Sequence, residues 1–96
     1  MKKQDPGYID NKEQVRNRLR RIAGQIGGIE RMVEEERYCI DILTQISAAQ
    51  AAIDKVALAL LDEHTRHCVV GAGSAAEREE KTEEMIKAVG RLLKSR

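Results

Sequence analysis

Tryptophan and phenylalanine are absent from the 96 residues, and Tyr8 and Tyr38 are the only aromatic side chains. A nucleic-acid surface of stacked rings, as RNA-binding sheets use, is therefore excluded. An excess of charge of either sign is also missing: seventeen Lys and Arg against sixteen Asp and Glu give a net +1. The whole molecule is no polycation, so any affinity for nucleic acid has to come from local clustering. No stretch reaches the ~18 consecutive apolar residues of a membrane span. The opening MKKQDPGYID lacks an apolar signal core. Cysteine is scarce too. Two thiols without a secretion signal are expected to stay reduced in a cytoplasmic protein, which suits metal or redox chemistry better than a structural staple. The remaining composition, 42% hydrophobic and 34% charged with one proline, is globular and helix-leaning. The length is that of one domain, near the size where a core is marginal unless partners add buried surface.

Residues 1–11, with Asp5, Pro6, Gly7, Asp10 and Asn11, read as a flexible N-terminal arm, and residues 12–96 as a single helical domain. From about Asp10 the pattern turns helical. Val15, Leu19, Ile22, Ile26, Ile29 and Val33 step by 4, 3, 4, 3 and 4, the seam of an amphipathic helix that packs as in a bundle. Gly24, Gly27 and Gly28 weaken the interior of that helix by roughly 1 kcal/mol each. Their clustering suggests close approach of another helix or a local kink. The acidic run Glu34–Glu36 opposes the helix dipole at its C-terminal end and predicts a break near Glu36–Tyr38.

A second helix is expected from about Cys39 to Val70, ~45 Å long. Ile42, Leu43, Ile46, Ala49, Ile53, Val56, Leu60 and Leu61 form its stripe, and further alanines widen it. So broad an apolar surface needs more partners than one short neighbour supplies. Gly71-Ala72-Gly73-Ser74 reads as a C-cap and turn, with Ser74 or a neighbour capping a third helix over residues 76–94. The expected fold is all-α, a three-helix protomer in an obligate oligomer.

Cysteine and histidine carry the chemistry. His64 and Cys68 are four apart, so they share a helical face and suit chelation of one ion. Cys39 lies 29 residues from Cys68, ~43 Å along a continuous helix. Within one chain the three cannot meet. They meet if two copies of this helix pack antiparallel about a twofold axis crossing near residue 53, where Ala48-Ala49-Gln50-Ala51-Ala52-Ile53 permits close approach. Isologous contact then makes two equal sites per dimer. Two thiolates and one imidazole suit three-coordinate Cu(I), or Zn(II) with a fourth ligand such as His67 or Glu63. Alternatively, Cys39 and Cys68 are small buried hydrophobes and the histidines surface polar residues. No cofactor fingerprint or orienting acid accompanies the Cys–His pair, so an enzyme is not expected.

Residues 12–21, KEQVRNRLRR, carry Lys12, Arg16, Arg18, Arg20 and Arg21 against Glu13 alone. Lys12, Arg16 and Arg20 form an i, i+4 row suited to phosphate oxygens of duplex DNA; the bland alternative is a solvated face. A helix-turn-helix has no place in this pattern, so backbone contact and DNA shape would share the recognition.

Taken together, RLRRIAGQIGGIERM in the first helix, YCIDILTQISAAQAA, and the HTRHC end of the second resemble the copper-sensing operon repressor family. The resemblance covers roughly residues 12–93. It implies an antiparallel dimer with a four-helix-bundle core, assembling into a homotetramer that binds double-stranded operator DNA when metal-free. Cu(I), one per protomer, releases the DNA and derepresses copper-efflux genes. It further implies Cys39 as one ligand, with His64 and Cys68 of the partner protomer as the others. Tyr38 and Glu84 match positions around the histidine, and Arg18 and Lys55 match basic positions implicated in DNA binding. Nickel- and cobalt-sensing relatives replace the last Cys with His and use an N-terminal His, persulfide sensors lack the intervening His, and formaldehyde-responsive relatives lack the last Cys. The other expectation kept open is a persulfide sensor, or a metal buffer without a DNA role, acting through Cys39 and Cys68.

Overall fold

The computed structural model describes residues 6–94. A 3-10 turn, Ile9–Asn11, leads into helix α1, Lys12–Glu34. Helix α2 spans Cys39–His64 and passes into a π-helical segment, Thr65–Val70, and helix α3 spans Ala75–Lys94. No strand occurs among the described residues, in line with the all-α expectation. Residues 1–5 of the expected arm lie outside the described residues; of the remainder, Gly7 is buried.

The chain divides into two compact bodies. In the first, residues 11–58, the buried side chains are Val15 and Ile22 of α1 and Ala49 and Val56 of α2. Each pair is one heptad apart, the spacing that keeps two residues on one helical face. Much of the remaining α1 seam is uncovered: Leu19, Ile26 and Val33 are exposed and Ile29 is half-buried, while Ile40, Leu43, Ile46 and Ile53 are exposed on α2. A Cβ at Gly24, Gly27 or Gly28 would have nothing within 4 Å, so no element among the described residues uses their small size.

Helix α1 ends as the acidic run predicts, by a specific device. The Arg37 N–H donates to the Met32 carbonyl at 2.9 Å and the Glu36 N–H to the Val33 carbonyl at 3.0 Å, the paired bonds of a Schellman motif. Glu36 occupies its left-handed position at φ 57, where glycine is the unstrained residue. Replacing Glu36 by Gly should therefore stabilise the fold by about 1 kcal/mol, read as a higher urea midpoint at unchanged slope. An unchanged or lower midpoint would show that the Glu36 side chain compensates for its backbone.

The second body holds residues 59–94 together with 6–10. Here the expected regular helix to Val70 needs correction, because α-helical pitch stops at His64 and the last six residues are π-helical. At the junction the Thr65 hydroxyl donates to the Leu61 carbonyl at 2.9 Å. A hydroxyl competing for that acceptor loosens the helical ladder and favours a wider turn. Helix α3 packs on the π segment, with Met85 Sδ 3.3 Å from the Thr65 hydroxyl. Its start is capped as expected: Ser74 Oγ accepts the Glu77 N–H at 3.1 Å, and the Glu77 carboxylate accepts the Gly73 N–H at 3.2 Å.

Candidate metal centre and basic face

His64 closes α2 and Cys68 sits in the π segment, so the change of pitch falls between the two expected ligands. Cys68 is buried with 8% exposure. His64 is half-buried, and its Nε2 lies 3.1 Å from the main-chain carbonyl of Lys81 on α3. A carbonyl only accepts, so the neutral ring carries its proton on Nε2 and keeps the Nδ1 lone pair for a cation. That is the arrangement by which ligating histidines are commonly oriented.

Cys39 opens α2 as an exposed free thiol. Among the described residues of one chain, no three His, Cys, Asp or Glu side chains gather into a metal-holding set. His67 and Glu63, each a possible fourth ligand by spacing, engage one another instead: His67 Nε2 is 2.9 Å from Glu63 Oε2. Glu84 faces Lys81, with its Oε1 3.4 Å from Nζ, and the carboxylate is half exposed. Tyr38 is exposed, and its carbonyl accepts the Asp41 and Ile42 N–H groups at 3.1 and 3.2 Å, which anchors the start of α2. The donor set itself, two reduced thiols and an imidazole oriented through Nε2, fits a soft monovalent cation.

Two features near these side chains have little or no sequence signal. The Lys81 carbonyl is a backbone atom, which no residue letter advertises. Gly7, beside Pro6, signals a turn but not that it seats against Cys68; a Cβ there would stand 2.9 Å from Sγ.

Lys12, Arg16, Arg18, Arg20 and Arg21 all lie exposed on α1, and Lys55 is exposed on α2. Arg16 Nη1 contacts Glu13 Oε1 at 3.1 Å across an exposed turn. Such an exposed pair is worth little in water.

Residues 11–91 match the family described as metal-sensitive transcriptional repressors. The copper-sensing transcriptional repressor RicR of Mycobacterium tuberculosis is 50% identical over 93 residues, covering 93% of this chain and 95% of that protein. The copper-sensing transcriptional repressor CsoR of Bacillus subtilis is 49% identical over 84 residues, 88% of this chain and 83% of the relative. Among solved structures, the copper-sensing repressor CsoR with Cu(I) from Geobacillus thermodenitrificans superposes with a TM-score of 0.82 at 39% identity. That match covers 97% of this chain and 94% of the other.

Proposed function

The chain belongs to the family of metal-sensitive transcriptional repressors, which are not enzymes, and from that premise we infer that it senses Cu(I). The observation that carries this reading is the donor set of Cys39, His64 and Cys68, in a chain whose relatives sense copper. Copper would be held by Cys39 of one protomer with His64 and Cys68 of the other, one ion per protomer. The 29-residue separation and the absence of a three-donor cluster among the described residues of one chain support an intersubunit site. The uncovered apolar faces of α1 and α2 supply the contact surface such a dimer, and a tetramer built from it, would bury.

Operator DNA is bound by the metal-free form through Lys12, Arg16, Arg18, Arg20 and Arg21 of α1, with Lys55 of α2. No helix among the described residues is long and apolar enough to cross a membrane, and a cytoplasmic setting follows from the repressor role. Cu(I) supplies a soft centre that ties two thiolates and an imidazole together. The protein's own part is to present the thiols, fix the His64 ring through α3 and transmit its position to the DNA-binding assembly. Release requires only that the metal favour the DNA-free form by a coupling of ~1–3 kcal/mol or more.

The test is an anaerobic gel shift with and without Cu(I). Copper-dependent loss of an operator complex supports the reading, and persistence of the complex at saturation overturns it. Neutralising Arg16, Arg18 or Arg20 should weaken the metal-free complex and lower the salt slope by about one unit per lost phosphate contact. Copper affinity should be unchanged in these variants. An unchanged slope in all three would move the DNA surface elsewhere.

A further inference from the structure

Lys81 is the exception among the basic side chains. Every other described Lys or Arg is exposed, whereas the Lys81 side chain is only 14% exposed. Lysine is among the residues least often buried, because its stem can pack while its ammonium reaches water. The bond to Glu84 does not account for this burial. That pair is one turn apart on α3, its carboxylate is half exposed, and such a pair contributes little in water. The other contact of the residue is its carbonyl, which accepts from the His64 ring at 3.1 Å. Lys81, His64 and the buried Cys68 belong to one compact body, so a positive charge is carried by the residue that holds the ring.

We propose that Lys81 supplies the counter-charge of the copper-loaded centre. Two thiolates, a neutral imidazole and Cu(I) together carry one net negative charge, since ligation replaces two thiol protons by one monovalent cation. A charge formed beside the buried Cys68 is costly unless an opposite charge is already in place. The pair with Glu84 keeps the ammonium there in the metal-free form. Lys81 acts on the ion through its field, not as a ligand. The inference rests on Cys39, His64 and Cys68 holding Cu(I), as proposed above.

The test compares Lys81→Met and Lys81→Arg in the full-length, reduced protein, by anaerobic competition against a Cu(I) chelator. Met keeps an apolar stem and the main-chain carbonyl but removes the charge, and Arg restores it. Lys81→Met should bind Cu(I) about tenfold more weakly, the scale of two unit charges ~10 Å apart at an effective dielectric of ~20. Lys81→Arg should stay within about twofold of the unsubstituted chain. Zn(II) is the control on charge: with the same donors its centre is neutral, so Lys81→Met should change Zn(II) affinity by less than about twofold. Ring-nitrogen NMR shifts of His64 in the metal-free proteins should be unchanged, because the carbonyl bond does not involve the Lys81 side chain. A merely structural role would instead move the ring shifts and weaken both metals alike. Unchanged Cu(I) affinity in Lys81→Met, equal losses in Met and Arg, or equal losses for Cu(I) and Zn(II) would each overturn the counter-charge. Failure of the unsubstituted chain to bind Cu(I) is a different result, which overturns the copper reading itself.

Discussion

Mixed dimers of Cys39→Ala and Cys68→Ala chains are expected to bind one Cu(I) tightly, where each variant alone binds none tightly. The Cys68→Ala chain still carries Cys39, and the Cys39→Ala chain still carries His64 and Cys68. Paired antiparallel, they rebuild one complete donor set. The second site of the same dimer then holds His64 with alanine at both cysteine positions, so it is lost. Each parental homodimer keeps at most one thiolate per site, too few soft donors for tight Cu(I) binding. The expected titration is thus one ion per mixed dimer against two per unsubstituted dimer, measured anaerobically against a competing chelator with differently tagged chains. Mixed dimers that form but bind no copper tightly would rule out the intersubunit site. So would an isolated monomer that binds with full affinity.

Much of the architecture could be read from local pattern because helices record their neighbours in periodicity. The seam from Val15 to Val33 predicts α1, and the opposed charges at Glu34–Glu36 predict its end. Ser74 predicts the capped start of α3, and the structure places the caps and breaks where those residues require. The π segment was not legible. Its residues Thr65–Val70 carry no helix breaker, and the Thr65 hydroxyl that meets the Leu61 carbonyl is a bond that a regular helix also accommodates. The ligand candidates were visible as residue types, since Cys39, His64 and Cys68 are the donors a soft cation needs. Their surroundings were not, because the His64 partner is a carbonyl on α3 and the Cys68 cover is a glycine from the arm. Both are long-range backbone contacts, and side-chain spacing carries no trace of them.

His64→Ala should abolish most of the copper-driven DNA release, with a smaller loss of copper affinity, because two thiolates remain to hold the ion. The ring bonds the Lys81 carbonyl through Nε2, so a cation fixed on Nδ1 positions α3 through the main chain. Glu84 enters one step further on: its carboxylate faces Lys81 Nζ at 3.4 Å, one turn along the same helix. Family resemblance puts Glu84 beside the histidine, and here Lys81 meets both residues, its carbonyl toward His64 and its ammonium toward Glu84. Two routes from the ring to α3 are therefore distinguishable, one through the Lys81 backbone and one through the Glu84 carboxylate. If the carboxylate contributes, Glu84→Ala retains most of the copper affinity and loses part of the release. With a total coupling of ~1–3 kcal/mol, or about 5–150-fold in operator affinity, a partial loss is measurable. Operator titrations of both variants, metal-free and copper-saturated, separate the routes. Strong loss in His64→Ala with a graded loss in Glu84→Ala is the expected pattern. Full coupling in Glu84→Ala would leave the Lys81 carbonyl as the link, and full coupling in His64→Ala would show that thiolate ligation alone moves the helices.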